Sequence, residues 1–278
     1  RSHRPHHHPR TIAPDVVEVV VELALAHPTW GCRKIVGALA ERNISLSEPT
    51  VQYTLVNRGL GLIKQRVGRA ERDTLTGAIK PGDDILCEIE HADPPFRERT
   101  KPLIVPGQHL ITEIIRGGIV EGGQRLYLVV VIDAGSNYTW AAPFTDIREL
   151  PHIGILRSQV LPAMAKWGLH PGSITTPNHP LWKGDSPGGR AFVQWCHESF
   201  HMQRVIQTGD VRNGYVEGFH REFQSWYRRE SLHGEPMENV KQALVNWLDA
   251  RNGMISWTFP CFGKSPAGMR GFRNNSVP

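Results

Sequence analysis

Apolar positions recur at helical spacing through the first quarter of the chain and at strand spacing through its middle. Val16, Val19, Val20, Leu23 and Ala24 fall at i, i+3, i+4, i+7 and i+8, which predicts an amphipathic helix over Pro14 to His27. Ile35, Ala38 and Leu39 mark a second helix over Cys32 to Asn43. A third runs from Ser47 to Arg58, with Ser47 placed to cap it, Pro49 tolerated in its first turn, and Gly59 and Gly61 as stop signals. Together they predict a compact trihelical unit. From Gly68 to Pro106 the periodicity fades, and Gly, Pro and charge become frequent, as in Lys80-Pro81-Gly82-Asp83-Asp84. This stretch reads as a linker with one short strand at Ile85 to Glu90.

Beyond it, Leu110 to Ile115 and Arg125 to Asp133 read as strands, the second rich enough in Val and Ile to be buried on both faces. Tyr138 to Phe144 makes a third, joined by the tight Ala134-Gly135-Ser136-Asn137. A helix from Pro151 to Trp167, a strand at Ser173 to Thr176, a helix at Gly189 to Phe200 and a strand at Met202 to Ile206 follow. Helices at Asn213 to Ser231 and Pro236 to Arg251 complete the pattern. Three meandering strands followed by alternating helix and strand predict an α/β domain of the ribonuclease H-like kind, a mixed five-stranded sheet with flanking helices. Trp195, Phe219, Phe223 and Trp226 are expected in its core, and Trp247 and Leu248 on the packed side of the last helix. The expected division is a basic tail over 1–10, an all-α unit over 11–67, a linker over 68–105, the α/β domain over 106–271 and a tail over 272–278.

Composition fits a packed protein: 40% of the 278 residues are hydrophobic and 21% charged. No apolar run is long enough to cross a bilayer. The first ten residues lack a signal-peptide core and do not begin with Met, so a trimmed or partial, non-secreted product is expected. Four cysteines without a C-x-x-C pair support neither a disulfide framework nor a zinc ribbon, and a reducing cytoplasm suits them. His6, His7 and His8 read as a solvated basic tail rather than a metal site. The net charge of +5 is confined to one segment: residues 1–70 hold 10 Lys and Arg against 5 Asp and Glu, and the rest hold 22 of each. A basic excess on one small unit suggests a polyanionic partner. With Val51 and Leu55 buried, Thr50, Gln52, Tyr53, Asn57 and Arg58 remain available on the third helix. Alongside Arg33, Lys34 and the basic Lys64-Gln65-Arg66, they suit the base edges and phosphates of double-stranded DNA, as in helix-turn-helix readers. A merely solvated face is the alternative.

Several segments carry a family resemblance. His27-Pro28-Thr29-Trp30-Gly31-Cys32-Arg33-Lys34-Ile35 resembles the "HPTWGYRRI" segment of bacterial insertion-sequence transposases of the retroviral-integrase superfamily. LYLVVVIDAGS over Leu126 to Ser136 resembles their second-strand signature. NGYVEGFHREF over Asn213 to Phe223 resembles the helix bearing their last catalytic acid. Gly263-Lys264-Ser265-Pro266-Ala267 resembles the usual end of the catalytic domain. The four occur in family order, and the resemblance covers most of the chain, from about residue 11 to 270. The resemblance implies a polynucleotidyl transferase ancestry in which three carboxylates hold two divalent metals, Mg or Mn, for DNA cutting and joining.

Carried over residue by residue, the triad is incomplete. Pro106 to Ile114 resembles "PNQLWQTDI", which puts Glu113 where Asp is usual. The added methylene displaces the carboxylate by on the order of 1 Å, an error that can cost roughly a hundredfold in rate. Glu90 is a weaker competitor, too far before Asp133, and Asp133 matches a position that is usually structural. Thr175-Thr176-Pro177-Asn178 stands where "TTDN" is expected, so Pro177 occupies the middle acid position and offers no side-chain oxygen. Glu217 matches the last acid. The stretch from Pro177 to Glu217 is a few residues longer than usual, with an insertion around Trp182 to Pro187.

Three readings follow from the sequence. In the favoured one the centre has decayed, no metal cofactor is needed, and a DNA-binding, architectural or regulatory relative of a transposase remains. In the second, Asp185 of the inserted loop completes an active metal site with Glu113 and Glu217, a demanding placement for a flexible loop. In the third, a helix-turn-helix transcriptional regulator uses its second domain only to dimerise. Near the last acid, Arg212, Asn213, His220 and Arg221 could touch DNA phosphates; a solvated helix face is the alternative there. The expected partners are double-stranded DNA and a homo-oligomer or active transposase relatives, in a bacterial, nucleoid-associated cytoplasmic setting and without a membrane.

Overall fold

The structure is a computed structural model that describes residues 12–75, 78, 82–93, 96, 105–146, 152–179, 182, 187–200, 202–206, 213–257 and 260–269. Both expected tails, Arg212 and the inserted-loop residue Asp185 lie outside the described residues. The chain divides into two compact units, residues 1–93 and 94–278.

The first unit is all helical. Helices α1 (Pro14–Ala26), α2 (Cys32–Glu41) and α3 (Glu48–Asn57) enclose Val20, Leu23, Ala24, Ile35, Leu39, Val51, Leu55 and Leu60. Ser47 caps α3, its side chain accepting the Thr50 N–H, and Gly59 at φ 68° lets the chain turn out of the helix. The stretch expected as linker instead carries two helices, α4 (Ile63–Leu75) and α5 (Asp83–Ala92), and the first unit runs on through it to residue 93. Ile63, Val67 and Ala70 are spaced three and four apart, and α4 buries Val67 and Ala70 while packing on α1 and α5. Ile85 and Ile89 lie four apart, a helical spacing, and Asp84 in the first turn of α5 suits the positive end of a helix. The expected strand at Ile85 to Glu90 is therefore helix.

The second unit is a three-layer α/β domain. Strands β1 (His109–Ile119), β2 (Arg125–Asp133), β3 (Thr139–Phe144), β4 (Ser173–Thr176) and β5 (Gln203–Ile206) form one sheet in the order β3-β2-β1-β4-β5. β1 pairs antiparallel with β2 and parallel with β4; β2 pairs antiparallel with β3, and β4 parallel with β5. This order and these senses define the ribonuclease H-like core. α6 (His152–Ile155), a π-helical turn (Leu156–Val160), α7 (Leu161–Lys166) and α8 (Pro187–Phe200) supply the segments between β3 and β5. α9 (Gly214–Arg229), α10 (Met237–Gly253) and the short α11 (Pro266–Met269) follow.

β2 is apolar throughout because it faces two cores. Leu126, Leu128, Val130 and Ile132 pack with α9 and α10, whereas Val129 and Val131 pack with α6 to α8. Trp195, Phe219, Phe223 and Trp226 are buried, as expected, and Trp247 stacks on Trp226 at 4.8 Å between ring centroids. No helix among the described residues is long and apolar enough to cross a membrane.

Two glycines set how closely the layers approach. A Cβ on Gly135 would run into the backbone of Val105 and Pro106. A Cβ on Gly118 would lie 2.5 Å from the Tyr227 ring, which cannot retreat because its hydroxyl donates to the carbonyls of Ile119 and Leu232. Gly118→Ala is therefore expected to destabilise the second unit by about 2 kcal/mol in urea melts, a typical overpacking cost. An unchanged midpoint would contradict the tight seating of α9 on β1.

Candidate functional site

In the second unit, side chains alternate along β1, so Glu113 shares a face with Ile111 and Ile115, the face that α9 covers. α9 advances along β1 in the same direction. Gln224 donates to the carbonyl of Gly117 at 2.7 Å, and Tyr227 to that of Ile119 at 2.9 Å. His220 meets the Arg116 carbonyl at 3.0 Å. Glu217 lies one turn before His220 on the same helix, towards the start of α9. Glu217 sits in the first turn of α9, where the helix end favours a carboxylate, and pairs with Arg221 at 3.7 Å.

β4 brings the third position. Ile111 pairs with Thr175, the last pair between β1 and β4, and Pro177 directly follows β4. Proline places ring carbons there, and its lack of an N–H also ends the ladder of β4. The elements that carry or adjoin the three expected positions, β1, the end of β4 and the first turn of α9, are thus neighbours in the second unit, and those positions offer two carboxylates and a proline. That donor set does not fit a pair of hard divalent cations, which need several oxygen ligands each. Among the described residues, no group of three His, Cys, Asp or Glu side chains could hold a metal ion.

Other candidates of the second unit have structural partners. Asp133 is 2% exposed and accepts from the Gly107 N–H at 2.9 Å, the Gly135 N–H at 3.3 Å and the Ser136 hydroxyl. It ties the chain before β1 to the β2–β3 turn, and burial pushes its carboxyl up to about 6 against the lowering effect of those hydrogen bonds. Asn213, considered as a phosphate contact, is buried and caps α9, its side-chain oxygen accepting from the Tyr215 N–H at 3.0 Å. Arg221 is exposed. Glu90 lies on α5 in the first unit, not on the sheet. Sequence reasoning missed His109, whose ring bridges β1 to Ser173 and Thr175 of β4 at 2.6 and 2.9 Å. No local signal marks such a cross-strand bond.

In the first unit, the residues considered for DNA contact separate into two groups. Arg33, Lys34, Tyr53 and Asn57 are exposed. Among the described residues Arg33 and Lys34 make no ion pair. The others are engaged within the unit. Gln52 is half-buried, accepts from the Cys32 thiol at 3.0 Å and donates to the Gly61 carbonyl at 3.2 Å. Thr50 shares a 2.8 Å hydroxyl contact with Ser47, and Arg58 pairs with Glu18 at 2.6 Å. The face that α3 presents is partly apolar, since Tyr53 and Val56 are 67% and 55% exposed.

No protein-family model matches the chain, and no curated protein matches its sequence. Among solved structures it is similar to a chain of the simian T-cell lymphotropic virus intasome in complex with PP2A regulatory subunit B56 gamma. That likeness has 20% identity and a TM-score of 0.46, covering 63% of this chain and 57% of that one. It is also similar to the magnesium-bound catalytic core domain of HTLV-2 integrase in its dimeric form, at 17% identity and a TM-score of 0.44 over 60% of this chain and 99% of that one. The trimeric form of the same domain gives 18% identity and a TM-score of 0.43, over 60% of this chain and 98% of that one. The present chain therefore spans little more than half of the first of these chains.

Proposed function

We propose that the chain is a DNA-binding protein built on a transposase-type core that has lost strand transfer, and that it acts as an architectural or regulatory relative of active transposases. One observation supports the reading: β4, which ends just before Pro177, pairs in parallel with β1, which carries Glu113, so a proline follows the strand where the proposed chemistry needs a third carboxylate. The first unit supplies the DNA contact, through Arg33 and Lys34 at the start of α2 and through Tyr53 and Asn57 on α3. Binding is to double-stranded DNA, by a homo-oligomer or together with active relatives, in the bacterial cytoplasm. The metal ions of an active centre play no part in this reading.

Binding to a mixed-sequence duplex, followed by fluorescence anisotropy over a salt series, tests the proposal. Each phosphate contact adds about 0.9 to the slope of log affinity against log salt, so Arg33→Ala and Lys34→Ala are each expected to lower it by about 1. Slopes unchanged in both variants would remove these residues from the DNA interface. Plasmid incubated with the wild-type protein and Mg²⁺ or Mn²⁺ is expected to stay intact. Metal-dependent nicking that Glu217→Ala abolishes would overturn the loss of strand transfer.

A further inference from the structure

α3 leaves a partly apolar face outside the core of the first unit. Pro49, Tyr53, Val56 and Asn57 fall at i, i+4, i+7 and i+8, so they lie on one side of the helix, and all four are exposed. Their neighbours Thr50 and Gln52 are held within the unit, whereas the Asn57 amide makes no hydrogen bond among the described residues. Exposed apolar side chains grouped on one face mark an interaction site.

The charge around this face selects the partner. Gln52 joins the start of α2 to the turn before α4, accepting from the Cys32 thiol at 3.0 Å and donating to the Gly61 carbonyl at 3.2 Å. A Cβ on Gly61 would come within 2.6 Å of a Val56 methyl. Arg33 and Lys34 at the start of α2 and Lys64 in the first turn of α4 therefore flank α3. None of these three cations makes an ion pair among the described residues. Against them α3 sets Glu48 in its first turn, while Glu18 and Glu22 of α1 pair with Arg58 and Arg42. In a two-fold dimer built on this face, the same three cations would confront their own copies. A DNA duplex meets them with phosphates instead, and its major groove admits a helix.

The side chains on the face then name the bases. In the major groove thymine presents a C5-methyl group, which apolar side chains contact, and adenine presents the N6 donor and N7 acceptor that an Asn amide matches with two hydrogen bonds. Tyr53 precedes Val56 and Asn57 by about 4.5 to 6 Å along the helix axis, one to two base steps of about 3.4 Å. We infer that α3 reads A·T base pairs, with Asn57 on the adenine edge and Val56 and Tyr53 against thymine methyls. The inference rests on the DNA-binding reading above and adds to it the base composition of the target and the residues that set it.

Duplexes with a randomised centre are selected on the full-length protein, and the enriched duplex is compared by fluorescence anisotropy with a copy in which deoxyuridine replaces thymidine. The selection is expected to enrich A·T pairs. Uracil lacks only the methyl, so each contacted thymine is expected to account for about fourfold in affinity, as burial of one methyl group requires. This comparison uses the wild type and does not depend on how any variant folds. Val56→Ala is expected to lose most of the sensitivity to uracil, and Asn57→Ala to reduce the preference for A·T over G·C at one position by about tenfold. Both variants are expected to keep the wild-type salt slope, because neither side chain meets a phosphate, unlike Arg33 and Lys34. A pool that binds but enriches G·C pairs or no sequence at all, or an enriched duplex that binds equally well with uracil, overturns the base reading while the DNA-binding reading stands. A pool that does not bind overturns both, and sedimentation of the wild type beside Val56→Asp then shows whether the face joins two copies of the chain instead.

Discussion

The stability of the second unit is expected to fall by about 3 kcal/mol as pH rises from 3.5 to 7, relative to an Asp133→Asn variant measured in parallel. The buried carboxyl of Asp133 is pushed up to about 6 from 3.8, chiefly by loss of solvation. Between those values the folded protein holds a proton that the unfolded chain has released. The associated stability is therefore fully present below pH 3.8 and is lost as pH rises through 6. Asparagine keeps one oxygen for the Gly107 and Gly135 N–H groups and offers an N–H to the Ser136 hydroxyl, so it preserves the junction without the titration. Urea melts across the pH range measure the difference, in which the contributions of all other carboxylates cancel. Parallel profiles for the two proteins would show that Asp133 is not charged and desolvated in the native state.

The second large effect is a gain of chemistry. In the proposed site Pro177→Asp supplies the missing middle carboxylate, and it is expected to give Mn²⁺-dependent nicking of supercoiled plasmid where the wild type gives none. Adding Glu113→Asp shortens the first acid to the usual length, and it is expected to raise the nicking rate by about a hundredfold, the cost associated with a 1 Å misplacement. Circular dichroism and urea melts of both variants separate a loss of fold from a failure to act. Well-folded variants that never nick would mean that more than the middle acid has been lost.

The second unit was legible because its signals are local. An unbroken apolar run from Leu126 to Ile132 marks a strand with two covered faces, and β2 is such a strand. The three expected acid positions come from short motifs, and the pairing of β4 with β1 brings together the strands next to two of them. Helices α4 and α5 were missed because glycine and charge masked a helical spacing of three and four residues. α4 in particular buries an arginine, which a pattern of hydrophobic positions does not count. Side-chain engagements were the least legible feature. Gln52, Arg58 and Asn213 all belong to residue types that suit DNA, yet each is occupied within its own unit. Gln52 and Arg58 meet partners brought near only by folding. The Asn213 cap, by contrast, is a local signal ahead of an apolar helix and could have been read from the sequence.

The central claim is that the carboxylate centre of the second unit lacks its middle member. Calorimetric titration with Mn²⁺ tests it most directly and needs no knowledge of the DNA target. The wild type is expected to show no saturable binding that depends on Glu217, Pro177→Asp is expected to gain it, and Glu217→Ala in the Pro177→Asp background is expected to remove it again. Saturable Mn²⁺ binding by the wild type that is lost in both Glu217→Ala and Asp185→Ala would contradict the claim, because Asp185 would then supply the missing carboxylate.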